Sequence, residues 1–518
     1  MSTDGLHTLG RWTRDRAVAT PDRVAIDDRG VVVTYRDLDA RATALAEGFL
    51  AAGYGIGDRV ATLTGNSADH VVLFFACAKA GLVLVPLCWR LSPREVAEQL
   101  ELSDPALVLV EDEFASLAAS ALERLGFEVA VGTLGTHGIE REMIAPLRRE
   151  TDPVEQRAVR DDDALLIIFT SGTLARAKGA ILTHANCFWT NLSLSRTAEI
   201  TSGDTVLAVL PQYHVGGWNI QPLLAWWMGA TVVLERTFDP GRVLHLIADR
   251  RITTMMGVPA NYLQLAQHPR FARSDLSSLT HAVVGGAPMP EPLLRVWHGR
   301  GVALQQGYGL TEASPNVLCL PDEHARDRVG SAGKPYPHVE VAVADVVTGE
   351  HLDGEATGEL LVAGPGVFAG YFRAPEQTER AMRGSWLATG DLVHRDADGY
   401  FRIVDRLGDI FISGGESIAP AEIEAVLLGH PAVADACVIG VPDQQWGEVG
   451  VAWIVPRAGQ LVEADDILGY CATELARFKL PKTVRVTAEI PRTANTGKVL
   501  RRALLERWLV ERDSEQAR

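Results

Sequence analysis

Short apolar runs rich in β-branched residues alternate along the chain with segments whose apolar positions recur every three or four residues. The first such runs, RVAIDD and GVVVTY, predict a β-hairpin with Gly30 in its turn. A helix is predicted next, because Leu38, Ala42, Leu45 and Phe49 fall on one face; Thr34 and Asp37 supply a capping box at its start and Gly53 ends it. Strands follow at DRVATLTGN, GLVLVPLC, PALVLVED and DALLIIFTSG, separated by helical stretches. Strands that are apolar on both faces and joined by crossovers belong in mostly parallel sheets covered on both sides. The pattern therefore predicts an α/β fold.

Two stretches refine this picture. Val71 to Trp89 is apolar enough to suggest a membrane span, but Lys79, Gly81 and Pro86 interrupt it, so a buried helix followed by a core strand is expected. Near RIVDRLGDIFISGGES, residues 402–417, the pattern changes: GYFRIVD reads as a strand, ISGG as a tight hairpin, and PAEIEAVLLGHP as a short helix with Ile423, Val426 and Leu427 inward. The expected division is a large N-terminal domain over 1–406, with its mostly parallel sheets covered by helices, and a small mobile α+β domain over 407–518. Gly408 stands at the junction, where a residue free in φ and ψ permits a large rotation.

At 518 residues the chain exceeds a single core. Hydrophobic residues make up 47% and charged ones 22%, ordinary values for a globular protein. A net charge of −17 argues against nucleic acid or an anionic membrane as partner and leaves anionic small molecules open where cations cluster. Six scattered cysteines without a CxxC pair read as reduced thiols, and the N-terminus has no apolar core for a signal peptide. A cytoplasmic protein is expected.

The candidate chemistry begins at FTSGTLARAKG, residues 169–179. Hydroxyls, glycine and a lysine follow the strand ALLIIF, and a helix is expected after Gly179, so backbone N–H groups and hydroxyls could hold phosphate there. The Walker pattern is absent, since Lys178 is followed by glycine, and taken alone the segment is equally a plain strand-to-helix turn. It is followed, in order, by GYGLTE at 307–312, ATGD at 388–391, DRLGD at 405–409 and PRTANTGK at 491–498. This series, spanning nearly the whole chain, resembles the adenylate-forming superfamily of acyl-CoA synthetases, peptide-synthetase adenylation domains and firefly luciferase.

The resemblance implies two half-reactions: a carboxylate attacks the α-phosphate of ATP to give acyl-adenylate and pyrophosphate, and a thiol then attacks the adenylate after the small domain swings. It implies that Tyr308 stacks on adenine with Gly285, Gly286 and Ala287 on the other side, that Glu312 coordinates Mg2+, and that Thr311 bonds the α-phosphate. Asp391 would take the ribose hydroxyls with Arg406 nearby, and Lys498 would meet the charge developing during adenylation. Thr170, Ser171, Gly172, Thr173 and Lys178 would grip the phosphates, while Gly414, Gly415 and Trp446 would line the thiol channel. Tyr213, His214, Trp218 and Gly309 fall where the family builds its acyl pocket, His214 also beside the thiol's route, and Trp226, Trp227, Met255 and Met256 lie in the same region. Aromatics and methionines there suit a bulky apolar carboxylate or its adenylate, although half of them are equally plain core. Singly, Tyr308 and His214 read as well as core residues, Glu312 and Asp391 as caps, and Lys498 as a surface lysine; the order and spacing of the motifs weigh against those readings.

The chain departs from the family in one place. Where members carry another hydroxyl, then glycine, then proline before KG, it has Leu174, Ala175 and Ala177. That loop grips the β- and γ-phosphates in the family, and a lost hydrogen bond to a charged group is worth roughly 1.5–3 kcal/mol, or one to two decades. The second half-reaction needs only the adenine, ribose, α-phosphate, acyl and thiol sites, whose motifs are intact. The favoured expectation is therefore transfer of an acyl group from a preformed adenylate to coenzyme A, with ATP-dependent adenylation weak or lost and a separate adenylating enzyme as possible partner. A complete ligase using ATP and Mg2+ is the alternative, supported by the retained Lys498; a non-catalytic binder of the AMP moiety is a further one. Free coenzyme A is expected as acceptor because no carrier domain follows residue 518, and Arg477, Lys479, Lys482 and Arg485 are either a basic patch for it or a solvated face.

Overall fold

A computed structural model describes residues 5–134, 157–170, 177–287, 289–413, 416–443, 446–475, 477–493 and 497–516. The chain packs as two compact units: Met1–Met289, Leu293–Val341 and Val362–Ala388 in the first, Pro290–Pro292, Ala342–Leu361 and Thr389–Arg518 in the second. The second unit thus begins before the expected boundary at residue 407, and Gly408 lies inside it.

The first unit holds two large sheets. One runs in the order Lys334–Pro335, Asn316–Cys319, Leu304–Gly309, His281–Val284, Thr254–Gly257, Thr205–Ala208, Thr231–Leu234, Val24–Asp28, Val31–Thr34. From Leu304–Gly309 to Val24–Asp28 every pairing is parallel. The outermost pair is the predicted hairpin, turned by Arg29 and Gly30, both at positive φ as a tight primed turn requires. Helices Pro240–Asp249, Pro259–Gln267 and Glu291–Gly299 cover one face with Val243, Ile247, Tyr262, Leu294 and Trp297.

In the other sheet, Ala164–Thr170, Val83–Pro86, Arg59–Leu63, Leu107–Glu111 and Ala130–Leu134 are parallel neighbours, extended antiparallel by Lys178–Thr183 and Gly370–Tyr371. Helix Tyr35–Ala51 has the expected Thr34–Asp37 capping box and buries Leu38, Ala42, Leu45 and Phe49. The apolar segment from Val71 divides as predicted into helix Ala68–Ala80, nearly all of it buried, and strand Val83–Pro86. Among the described residues no helix is long and apolar enough to cross a membrane. All six cysteines are free.

The second unit takes most of a sheet built from Glu340–Ala344, His351–Leu352, Ala356–Ala363, Trp386–Arg395 and Phe401–Arg406. A further sheet combines Phe411–Ser413, Glu416–Ile418, Val433–Asp443, Gly447–Pro456 and Thr483–Val486. One face carries helices Pro420–Gly429 and Ala464–Glu474 through Ile423, Leu427 and Ile467; the other packs Trp453 against Leu504 of helix Arg501–Gln516. A large α/β unit and a smaller α+β unit are what the apolar periodicities predict.

Candidate active site

Parallel strands collect ligands beyond their carboxyl ends, and the first unit aligns four such ends. Thr205–Ala208 runs on into LPQYHVGG, Thr254–Gly257 ends at a glycine, His281–Val284 leads to Gly285–Ala287, and Leu304–Gly309 carries GYG. Val284 pairs with Gln306, the last pairing of these two strands before Gly285–Ala287 on one side and Tyr308 on the other. Tyr308 is half-buried, and Gly286 and Ala287 are exposed. Gly285 is required by packing, since a Cβ there would meet the Gly307 carbonyl oxygen at 2.9 Å. Gly309 is too: its Cβ would lie 1.5 Å from the Pro315 oxygen, a reason for glycine that involves no acyl group.

Just past Gly309 a single helical turn, Thr311–Ala313, buries Thr311 and leaves Glu312 half-buried. The Tyr371 hydroxyl donates to Glu312 Oε1 at 2.7 Å, and Phe368 N–H donates to the Glu312 carbonyl at 2.9 Å. Lys178 Nζ stands 4.9 Å over the Tyr371 ring, while Phe368 packs edge-on against that ring at 4.9 Å. Tyr371 thus joins the loop lysine to the expected metal carboxylate. Sequence reading missed it, because the contact spans 59 residues to Glu312 and depends on Tyr371 pairing beside Ala180.

Lys178 itself corrects an expectation. The residues after it form strand Lys178–Thr183, antiparallel to Ala164–Thr170, and the helix begins only at His184. A Cβ on Gly179 would meet Ile167 at 2.6 Å, Ala180 and Leu182 are fully buried, and the capping box is Thr183 with Asn186. Thr170 therefore stands opposite Lys178 in an antiparallel ladder, and no helix follows Lys178 before His184. Ala177 is half-buried. Ser171, Gly172, Thr173, Leu174 and Ala175 lie outside the described residues, as do Gly414 and Gly415.

His214 is half-buried in the loop after Thr205–Ala208, and its Nδ1 accepts the Gly216 N–H at 3.1 Å, which leaves Nε2 as the ring's donor. A buried polar network holds this loop: Asn66 and Gln212 exchange contacts with it, and Gln212 Oε1 lies 3.1 Å from Nδ1 of the fully buried His70. Burial lowers His70 from 6.5 to about 4, so the ring is neutral. Tyr213 is buried beside Cys88, and burial raises its phenol. Trp218 departs from the expected pocket: it is 0% exposed, stacks on Phe74 at 4.7 Å and donates Nε1–H to the Gln212 carbonyl. Trp226 and Met255 are likewise core, and Trp227 stacks on Trp12. Met256 alone of that group lines a cleft, beside Ala208 and Gly216.

In the second unit Asp391 is nearly buried and accepts Arg406 Nε at 2.8 Å across paired strands. Lys498 is exposed at a turn closed by Thr493, whose N–H donates to the Lys498 carbonyl at 2.7 Å. Gly408 has open space where a Cβ would stand, and Asp409 next to it pairs with Arg501 at 3.1 Å. Ser413 of the ISGG hairpin pairs with Gly447, and Ile412 N–H donates to Glu448, so the two motifs of the expected thiol channel are adjacent; Trp446 is 48% exposed. Of the basic stretch, Lys479 and Lys482 are already paired with Glu422 and Asp443, while Arg477 is exposed.

Family models for AMP-binding enzymes match residues 13–372, and for their C-terminal domain residues 422–498. A feruloyl-CoA synthase from Amycolatopsis is 39% identical over 96% of this chain and 99% of its own. Among solved structures, ATP-bound MatB from Rhodopseudomonas palustris is similar with TM-score 0.88 at 32% identity, covering 97% of this chain and 99% of that one. MenE from Bacillus subtilis, an o-succinylbenzoate CoA synthetase bound to its acyl-adenylate intermediate, has TM-score 0.84 at 32% identity over 95% and 97%. The chain belongs to the adenylate-forming AMP-binding enzymes. Within them it falls in the acyl-CoA ligase branch, and it is an acyl-CoA ligase acting on a small-molecule carboxylate.

Such enzymes use ATP, Mg2+ and coenzyme A. Among the described residues no three acidic, histidine or cysteine side chains cluster as an all-protein metal site. Mg2+ seldom needs one: it takes one or two carboxylates and completes its shell with phosphate oxygens and water. Glu312, with one oxygen held by Tyr371, fits that requirement.

Proposed function

We propose that the chain is a complete carboxylate–CoA ligase that performs both half-reactions. In the first, a substrate carboxylate oxygen attacks the α-phosphorus of ATP and pyrophosphate leaves with the electrons of the broken P–O bond. In the second, the coenzyme A sulfur, having lost its proton, attacks the acyl carbonyl and AMP departs. Tyr308 with Gly285, Gly286 and Ala287 holds adenine, Asp391 with Arg406 the ribose, and Thr311 the α-phosphate. Thr170, Ser171, Gly172, Thr173 and Lys178 hold the phosphates that leave. Mg2+, when bound through Glu312, neutralises charge on those phosphates. Lys498 is the cation of the first step, and His214 stands beside the acyl group. Trp446, Gly414 and Gly415 serve the thiol of free coenzyme A, and Gly408 is the pivot between steps. The acyl group is a bulky apolar one, and the enzyme is cytosolic.

One observation carries the choice of a complete enzyme: Lys178, Tyr371 and Glu312 stand together. A lysine and a metal carboxylate joined by one tyrosine serve a triphosphate; an acyl-adenylate carries a single phosphate charge and has no pyrophosphate to neutralise. A second reading, in which adenylation is weak and another enzyme supplies the adenylate, is favoured by Leu174 and Ala175 alone. Exchange of labelled pyrophosphate into ATP, dependent on Mg2+ and a carboxylic acid, decides between them. Exchange at the rate of acyl-CoA formation supports the complete ligase; thioester from a synthetic acyl-adenylate with no exchange from the parent acid overturns it.

A further inference from the structure

Lys498 is held by paired backbone on both sides. Thr493 N–H donates to the Lys498 carbonyl at 2.7 Å, Lys498 N–H donates back to Thr493 Oγ1 at 3.0 Å, and Leu500 N–H donates to the Pro491 carbonyl at 2.8 Å. This segment runs directly into Arg501, the first residue of helix Arg501–Gln516. The half-buried Arg501 guanidinium donates in three directions: Nη1 to Asp409 Oδ2 at 3.1 Å, Nη2 to the two oxygens of Glu424 at 2.7 and 2.9 Å, and Nε to the Val438 carbonyl at 3.3 Å. Glu424 Oε1 also accepts the Val438 N–H at 2.8 Å, so strand Val433–Asp443 is the floor to which both partners are fixed.

Asp409 immediately follows Gly408, and its N–H and that of Ile410 both donate to the Arg406 carbonyl, at 2.9 and 3.2 Å, closing a turn around the glycine. At the near end of that turn Arg406 pairs with Asp391. One guanidinium therefore joins the chain leaving Gly408 to the chain that carries Lys498. The helix itself does not account for an arginine here. A cation in the first turn opposes the helix dipole, and no acid stands in that turn to offset it. Apolar packing already docks the helix, through Leu504 and Trp453, with Arg507 over the Trp453 ring at 4.7 Å. Lysine would be no substitute, since a point charge lacks the planar fork that takes both oxygens of Glu424 while holding Asp409.

We infer that Arg501 is a positioning residue of the adenylation step: through Asp409 and Glu424 it locks the Lys498 segment and the residue after Gly408 into one frame. The inference rests on the ligase reading, in which Gly408 is the pivot and Lys498 serves the first half-reaction. A cation that stabilises developing charge must be placed accurately, and a misplacement of about 1 Å costs on the order of 100-fold. The second half-reaction makes no use of that cation. The ISGG motif has anchors of its own, Ser413 paired with Gly447 and Ile412 N–H on Glu448, and so does not depend on Arg501.

The test compares full-length Arg501→Met, Asp409→Ala and Lys498→Ala with the parent. One assay is Mg2+-dependent exchange of labelled pyrophosphate into ATP with benzoate, cinnamate, phenylacetate or octanoate; the other is thioester formation from the matching synthetic adenylates and coenzyme A. Arg501→Met is expected to lose about 10- to 100-fold in exchange and less than about threefold in thioester formation. Arg501→Met combined with Lys498→Ala is expected to exchange no more slowly than Lys498→Ala alone, because a residue that acts through the lysine then has nothing to position. Losses that multiply in the double variant, or equal losses in the two half-reactions, mark a merely structural role and overturn the inference. Asp409→Ala leaves Arg501 paired with Glu424 and is expected to show the same selective loss; unchanged exchange overturns the inference, and this variant decides if Arg501→Met fails to fold. Thioester from an adenylate without exchange from its parent acid, or no product from any of these compounds, counts against the ligase reading and not against the frame. Amide hydrogen exchange then decides on the frame: Arg501→Met should lose protection in both 405–410 and 497–501, and unchanged protection in either overturns it.

Discussion

Replacing Tyr371 by phenylalanine removes one oxygen from the centre of the phosphate side of the site. The ring stays, so the contact of Lys178 Nζ over it at 4.9 Å and the edge-on packing of Phe368 both survive. What disappears is the 2.7 Å hydrogen bond that fixes one oxygen of Glu312. A hydrogen bond to a charged group is worth roughly 1.5–3 kcal/mol, which corresponds to about 10- to 150-fold. If Glu312 holds Mg2+ for ATP, that loss falls on pyrophosphate exchange and raises the Mg2+ concentration needed for half-maximal exchange. Thioester formation from a synthetic acyl-adenylate and coenzyme A should change less than about threefold, because no pyrophosphate takes part. Parallel assays of Tyr371→Phe with the parent enzyme yield both numbers. Equal losses in the two half-reactions, or unchanged exchange, would refute a role for Tyr371 in holding the metal carboxylate and remove the main support for a complete ligase.

Asp391→Asn should behave differently: it weakens the ribose site used in both half-reactions, so KM for ATP and for the adenylate should each rise about 10- to 100-fold, with kcat less affected. A rise in one alone contradicts a shared ribose site. Leu174→Thr combined with Ala175→Gly should raise pyrophosphate exchange by about one to two decades and leave thioester formation from the adenylate unchanged; an unaltered exchange rate would mean that the loop's middle is not limiting. Acid should destabilise the fold through His70 and His184, which burial lowers from 6.5 to about 4. Both are neutral when folded and protonate when unfolded, so their contribution is present above about pH 6.5 and is lost as pH falls through about 4, at about 3 kcal/mol each. Urea unfolding between pH 7.5 and 4.5 measures it, and a flat stability across that window would exclude it.

Local signals carried most of the architecture. The capping box of Thr34 and Asp37 and the near-complete burial of Ala68–Ala80 are written in adjacent residues, and they fold as that writing says. Lys178–Thr183 misled because KGAILTHAN contains both a short β-branched run and a helix start; the decision between them belongs to Ile167, across the hairpin, against which only glycine at 179 fits. The aromatic residues after His214 were legible as apolar but not as core or pocket, since that depends on partners such as Phe74 and Trp12, more than a hundred residues away in sequence. Tyr371 carries no local pattern at all: it acquires meaning only from what the fold sets beside it.

The hairpin beneath the phosphate loop has a consequence for how such a site changes over time. Thr170 opposite Lys178 and Phe169 opposite Gly179 close a ladder whose strands are anchored by Ile167, Ile168, Ala180 and Leu182. A ladder anchored in this way keeps its register through its own buried side chains. If ATP is bound beside Lys178 as proposed, exchanges beyond this ladder would register in reaction rates while the ladder itself keeps its melting temperature.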